Sequence, residues 1–223
     1  MIRALVFDFD GLILDTESAL IRSYADVHAA HGVPFDEPRF FRAVGHADYA
    51  FDPWAAFGPS AAHAALEAER QETKKGRLEL LAPLPGVISL IDEARAAGLP
   101  LAIASNSEHS WVEPHLARLG LLGHFSFLAC RDDVPSPKPE PDLYKLVLNR
   151  FGLRGHEAVA FEDSHTGSVA AKRAHLHTVV APGPSTAHHD FKHVDLVVGS
   201  LAEVTLPGLI ARFVQPPSSS QRL

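Results

Sequence analysis

Ile2-Arg3-Ala4-Leu5-Val6-Phe7-Asp8-Phe9-Asp10-Gly11-Leu12-Ile13-Leu14-Asp15-Thr16-Glu17 runs from an apolar strand into a polar loop, and the reading of that junction decides the fold. A buried strand that releases polar residues at its carboxyl end is where open parallel sheets place their chemistry. Gly11 supplies the freedom to turn, and in the turn the carboxylates of Asp8 and Asp10 can converge. One carboxylate can then attack phosphorus to form an aspartyl-phosphate, while a second moves the proton of the leaving or attacking oxygen. Like charges this close call for a cation, and oxygen ligands favour Mg²⁺. An ordinary turn is the competing reading, since Asp and Gly dominate turns after strands.

Outward from this stretch the chain changes character twice. Residues 18–31 read as a helix, with Leu20, Ile21, Tyr24, Val27 and His28 at three- and four-residue spacing and Gly32 closing it. Residues 33–82 carry only helical patches, 37–44 and 60–81, broken by Pro53, Gly58 and Pro59. Pro83-Leu84-Pro85-Gly86 ends that region. Beyond it helices at 87–97, 109–119, 141–151 and 164–174 alternate with strands at 100–105, 125–130, 158–161, 178–180 and 195–198. Such alternation predicts an α/β core, a Rossmann-like, mostly parallel sheet with helices on both faces. The expected division is a core of residues 1–15 and 83–215, an all-helical insertion of residues 16–82, and a disordered Pro/Ser-rich tail over 216–223.

Three more polar clusters follow apolar runs or prolines. Ser105, Asn106 and Ser107 end the strand at 100–105, where a hydroxyl and a side-chain amide can bind phosphoryl oxygens or cap the next helix. Lys138 lies among Pro135, Pro137, Pro139 and Pro141, which stiffen the backbone around one cation. Alone it reads as a solvated surface lysine. Glu162 and Asp163 follow Ala158-Val159-Ala160-Phe161 and, with Asp8 and Asp10, gather four carboxylates that need a divalent cation among them. Ser164 is placed to cap the helix after them and to hold Asp163.

With Asp8-x-Asp10-Gly11-x-x-x-Asp15-Thr16, Leu101 to Asn106, Lys138-Pro139-Glu140-Pro141-Asp142 and Val159 to Ser164 with Gly167 in order, the sequence resembles the haloacid-dehalogenase-like hydrolase superfamily. The match is to its phosphatase and β-phosphoglucomutase branch. The resemblance implies a helical cap over the core and makes Asp8 the nucleophile and Asp10 the general acid and base. It places Mg²⁺ on Asp8, the Asp10 backbone carbonyl and Asp163, with Glu162 either direct or through water. It implies phosphate binding by Ser105, Asn106 and Lys138. Substrate contacts from the cap are sought among Arg42, Gly45, His46, Asp48, Lys74, Lys75 and Arg77. Asp15 and Thr16 read as loop and cap residues, with helix capping preferred over substrate contact for Thr16. Related sequences carry Gly or another small residue near His175, a departure that bears on helix-to-strand packing.

The expected activity is Mg²⁺-dependent hydrolysis of a small phosphorylated metabolite, a sugar phosphate being preferred. A β-phosphoglucomutase-like phosphomutase is the alternative, and a non-catalytic phosphate-binding protein is the alternative of another class. The mutase resemblance rests partly on a histidine in the first cap helix, and Leu20 stands there; His28 is two turns further on, about 12 Å along a helix axis. A dehalogenase has no use for the second carboxylate.

A formal charge of −7 with no run of Lys or Arg argues against nucleic-acid and anionic-membrane partners. The sequence lacks a leader-like or membrane-spanning apolar stretch, so the expectation is a cytoplasmic monomer. Cys130, the single cysteine, reads as a small buried residue rather than a nucleophile. His188, His189 and His193, in a loop with Pro182, Gly183 and Pro184, read as exposed rather than ligating.

Overall fold

The structure, a computed structural model, describes residues 1–43, 52–58 and 62–214. Six strands, β1 (Ala4–Phe7), β2 (Leu101–Ala104), β3 (Phe127–Ala129), β4 (Ala158–Glu162), β5 (His177–Val180) and β6 (Leu196–Val197), form one sheet in the order β3-β2-β1-β4-β5-β6, every pair parallel. The chain is therefore α/β with a doubly wound sheet. The sheet reverses direction of growth at β1, which has β2 on one side and β4 on the other. The crevice at the carboxyl ends of such neighbours is where this topology leaves room for a ligand.

Strand alternation sorts the residues by size. Leu5, Phe7, Leu101, Ile103, Val159 and Phe161 point to one face and pack with α4 (Val87–Ala96) and α5 (His109–Arg118). The opposite face presents Ala4, Val6, Ala102, Ala104, Ala158 and Ala160, mostly methyl groups, to α6 (Asp142–Phe151) and α7 (His165–Arg173). Small side chains there let Tyr144 of α6 lie fully buried against the sheet. Cys130 is buried in the first of these clusters and its thiol is pushed up to about 12 by burial, with Asp133 and Asp132 adding to it. It is a core residue. No helix among the described residues is long and apolar enough to cross a membrane.

Between the first loop and α4 come α1 (Thr16–Ala30), α2 (Glu37–Ala43) and α3 (His63–Glu79). They have a small cluster of their own, Val27, Trp54 and Leu66, with Tyr24 and Phe57 at its edge. Arg77 of α3 forks onto the Asp26 carboxylate of α1 with bonds of 2.5 and 2.6 Å. His28 belongs to this cluster too, its ring nitrogens 2.9 and 2.8 Å from the Pro34 and Pro53 carbonyls.

Two features differ from the sequence reading. The strand expected over 125–130 spans only Phe127–Ala129, because Leu122–His124 turns as a 3₁₀ segment and the Cys130 N–H is taken by the Asp133 side chain at 2.8 Å. A last helix, α8 (Leu206–Val214), has no counterpart among the helices read from the sequence; Leu206 and Leu209 bury themselves in the cluster that α4 serves. The tail 216–223 lies outside the described residues.

Candidate active site

Asp8 is the first residue after β1, and its N–H bonds the Phe161 carbonyl of β4 at 2.9 Å, which holds the start of the loop against the neighbouring strand. The loop then folds back on itself through Gly11 N–H to the Leu14 carbonyl at 2.7 Å, while Phe9, Leu12, Ile13 and Leu14 go into the core. Gly11 has φ +81°, and a Cβ there would lie 2.2 Å from an Asp163 oxygen. A glycine is thus required twice over, for the turn and for the approach of Asp163.

The carboxylates of Asp8, Glu162 and Asp163 converge, one oxygen from each lying within 4.8 Å of the others. Lys138 reaches into them from its proline-flanked loop, with Nζ 2.8 Å from Asp8 Oδ1 and 2.6 Å from Glu162 Oε1. Glu162 is fully buried at the end of β4, and the same Oε1 also accepts the Tyr144 hydroxyl. Burial is the largest influence on Asp8, against the pull of Lys138 and with the push of Glu162, and raises it to about 7. Asp163 is raised well above the usual carboxylate range by burial, with Asp8 and Glu162 adding to it. Burial pulls Lys138 down, yet Asp8 and Glu162 together outweigh it and hold the ammonium above its ordinary value. One ammonium beside three buried carboxyl groups cannot balance all of them once ionised, so Asp8 and Asp163 hold their protons more tightly or need a cation. An all-oxygen donor set of this kind suits a hard divalent cation.

The Asp10 carboxylate is turned elsewhere. Oδ1 accepts the Thr16 hydroxyl at 2.7 Å and the Trp111 indole N–H at 2.9 Å, and Oδ2 accepts the Ser107 hydroxyl at 2.6 Å. Thr16 is therefore not the helix cap expected of it: Asp15 caps α1, accepting the Ser18 N–H at 3.0 Å, which frees the Thr16 hydroxyl for Asp10.

Ser105 is not a helix cap either; its hydroxyl accepts the Ser107 N–H at 3.0 Å, and α5 starts two residues beyond that. The Asn106 amide, expected at a phosphoryl oxygen, is committed first to the main chain of Lys138: Oδ1 accepts its N–H at 2.8 Å and Nδ2 donates to its carbonyl at 3.1 Å. That clamp joins two of the sequence clusters and leaves one amide hydrogen over. Ser164 caps α7 by accepting the Gly167 N–H at 3.1 Å, and its hydroxyl faces Glu162 rather than Asp163. Gly167 is needed because a Cβ would fall 2.0 Å from a Glu162 oxygen.

Asp8, Asp10, Ser105, Lys138 and Asp163 line a cavity of ≈ 410 Å³ that Glu17, Leu20, Lys74 and Thr166 also border, while Glu162 stays behind them. Glu17, which the sequence reading passed over, is raised above the ordinary glutamate value by burial, although the Ser185 hydroxyl bonded to it works the other way. Of the residues considered for substrate contact, Lys74 reaches the cavity, Lys75 is exposed and Arg77 is held by Asp26. Gly45, His46 and Asp48, and the Arg42 side chain, lie outside the described residues. The histidines tie a loop to α7: His165 Nδ1 is 2.9 Å from the Asp190 carbonyl and His193 Nε2 is 3.0 Å from the Ser168 hydroxyl.

The family model of the haloacid dehalogenase-like hydrolases matches residues 2–175. YhcW of Bacillus subtilis (strain 168) is 36% identical over 214 residues, covering 94% of this chain and 97% of that protein. Hexitol phosphatase B of Escherichia coli (strain K12) is 31% identical over 216 residues, with 94% and 97% covered. Among solved structures, a variant of CbbY from Rhodobacter sphaeroides in complex with xylulose-(1,5)bisphosphate is 30% identical, with a TM-score of 0.67 over 94% of this chain and 99% of that one.

Proposed function

The chain belongs to the haloacid dehalogenase-like hydrolases, and from that premise we propose that it is a phosphatase that releases inorganic phosphate from a small phosphorylated sugar by way of an aspartyl-phosphate on Asp8. The observation that carries the reading is the pair of carboxylates at the end of β1 held in two different ways. Asp8 faces the single ammonium of Lys138 and the other carboxylates, and Asp10 sits apart on three hydrogen-bond donors. One is placed to bond phosphorus, the other to move a proton. The relatives point to the substrate class: hexitol phosphatase B by its name and CbbY by its bound sugar bisphosphate.

In the first step an Asp8 oxygen forms a bond to phosphorus as the bond from phosphorus to the ester oxygen breaks, and that oxygen takes a proton from Asp10 and leaves as the alcohol. In the second, Asp10 takes a proton from water as the water oxygen attacks phosphorus, which restores the Asp8 carboxylate and gives inorganic phosphate. Lys138 and Ser105 hold the phosphoryl oxygens, with the N–H groups that follow Ser105. Asp8, Asp163 and the Asp10 carbonyl would hold Mg²⁺, with Glu162 steering Lys138 from behind. Bound there, the cation supplies charge neutralisation between the phosphoryl oxygens and the carboxylates. Residues 16–82 serve as the cap over a core of 1–15 and 83–215, keeping indiscriminate water from the acyl phosphate.

Water rather than a second sugar is the acceptor, because Leu20 lines the cavity where a mutase would need a polar group on α1, and His28 is engaged by two carbonyls away from it. The test is incubation with hexose and pentose phosphates plus Mg²⁺, following free phosphate and sugar-phosphate isomers together. Phosphate release that vanishes in Asp8→Asn is expected. Rapid isomerisation of glucose 1-phosphate with little free phosphate would move the function to a mutase.

A further inference from the structure

Trp111, on the first turn of α5, has the place of a packing residue. Its edge and its face are both occupied. The indole N–H donates to Asp10 Oδ1 at 2.9 Å, and the Lys74 ammonium of α3 stands 5.0 Å from the ring centroid. His115, one turn on along the same helix face, packs edge-on at 4.5 Å between ring centroids. All three of Asp10, Lys74 and Trp111 line the same cavity.

The three donors on Asp10 are not equivalent. The hydroxyls of Thr16 and Ser107 can rotate, and each can accept a hydrogen bond as well as give one. An indole N–H only donates. Whatever protons the hydroxyls carry, Oδ1 must stay an acceptor towards Trp111, so the proton that Asp10 handles travels on Oδ2. The ring thus fixes both the rotation of the carboxyl group and the choice of oxygen. Its face, meanwhile, meets a cation that comes from the helical insert rather than from the core. A cation over the indole face is an attractive contact in its own right, so the position of α3 is transmitted to Asp10 through two contacts.

We infer that Trp111 is a positioning residue for the reaction: it holds Asp10 Oδ1, presents Oδ2 to the leaving oxygen, and registers the helical insert on that geometry through Lys74. This rests on the proposed role of Asp10 as proton donor, and the experiment separates the two. A sugar alkoxide must be protonated as it leaves, whereas p-nitrophenolate leaves without help. Full-length protein with Mg²⁺ is assayed on glucose 6-phosphate and on p-nitrophenyl phosphate, comparing kcat/KM, which reports the steps up to the first phosphoryl transfer. Trp111→Phe keeps an aromatic face for Lys74 while removing the indole N–H along with part of the ring, and the two-substrate comparison separates the lost N–H from the lost packing. It should lower kcat/KM for glucose 6-phosphate about tenfold or more and for p-nitrophenyl phosphate less than about threefold. A merely structural contribution would lower both alike, and that result overturns the proposal. Asp10→Asn is the reference: if it does not discriminate between the two substrates, the role of Asp10 falls; if it does and Trp111→Phe does not, only the inference falls. Lys74→Met should repeat the selective loss in the wild-type background and add little to Trp111→Phe, and additive losses overturn the link to the insert.

Discussion

Charges at the carboxyl edge of the sheet and charges in the helical insert are arranged in opposite ways. In the insert two arginines each have a carboxylate of their own: Arg77 forks onto Asp26 across two helices, and Arg70 onto Glu67 within one, at 2.5 and 3.0 Å. In both pairs the carboxylate reaches solvent, and such pairs are worth little on their own. At the sheet edge Lys138 is shared between two carboxylates while a third stands beside them, all of them buried. That arrangement calls for protons or a cation to balance the carboxylates, and a cation bound there also allows an anionic phosphoryl group to approach. Charges of the first kind are balanced within the fold, and those of the second kind are left for a ligand to balance.

The sharpest way to break this contrast is to remove one lysine from each region. Lys138→Ala leaves Asp8 and Glu162 buried with no counter-ion, a change that typically costs about 3–5 kcal/mol, and it removes the phosphoryl-facing charge, for which a loss of roughly 10²–10³ in kcat/KM is expected. Lys74→Ala, whose ammonium lies over an indole and is only half-buried, should lower Tm by no more than a degree or two and kcat/KM on a sugar phosphate by about tenfold, well short of the loss in Lys138→Ala. Thermal unfolding and phosphate release on the two variants check both halves. Equal losses would mean that the phosphate site lies closer to α3 than the core geometry places it.

How far the sequence could be read follows the same line. Asp8, Ser105 and Glu162-Asp163 were legible because each comes directly after an apolar run, and a sheet gathers strand ends. Lys138 was legible only through its motif, since nothing local says that a lysine among prolines points inward. Thr16, Glu17, Tyr144 and Trp111 acquire their roles from partners 6 to 168 residues away. Trp111 sits beside Val112 and five residues before Leu116, both core residues, in a helix that packs on the sheet, so an aromatic there reads as packing. The helix α8 was hidden because Pro207 and Gly208 occupy its first turn and read as a break. The residues of the insert that were expected to contact substrate split up for want of any common signal, Lys74 inward and Lys75 outward on adjacent positions of one helix.

A cation sharpens the contrast more gently. In the metal-free chain Asp8 titrates at about 7 because of burial, whereas an unfolded aspartate does so at 3.8. Between those values the folded chain holds a proton that the unfolded chain has released, so stability is full at low pH and falls as pH rises from about 4 to about 7. Asp163, raised in the same direction, adds to the slope. Mg²⁺ compensates the ionised carboxylates and should therefore raise Tm more at pH 8 than at pH 5. Differential scanning fluorimetry at the two pH values with Mg²⁺ or a chelator measures it. A gain independent of pH would place the cation away from these carboxylates.

The smallest effect concerns a joint in the core that carries strain without carrying charge. His175 has φ +64°, the one non-glycine residue with positive φ among those described, at the turn from α7 to β5. Its N–H bonds the Lys172 carbonyl at 2.9 Å, so the left-handed conformation closes the helix as a glycine would. Packing does not suffer: Leu176 is buried and β5 pairs with β4 in regular register. Nor can the backbone relax, because Gly155 lies so close that a Cβ on it would be 2.3 Å from the Ala174 carbonyl oxygen and 2.7 Å from the His175 carbonyl. A left-handed conformation costs a non-glycine residue roughly 1–2 kcal/mol, and glycine gives back roughly 0.5–1 kcal/mol of that in chain entropy. His175→Gly should therefore stabilise the chain by about 0.5–1 kcal/mol, a Tm increase of about 1–4 °C for a chain of this size. His175 is exposed and far from the cavity lining, so kcat/KM should not change. A fall in Tm would mean that the imidazole contributes more than the strain removes, and a change in kcat/KM would mean that the joint and the site, on neighbouring elements of one sheet, are not independent.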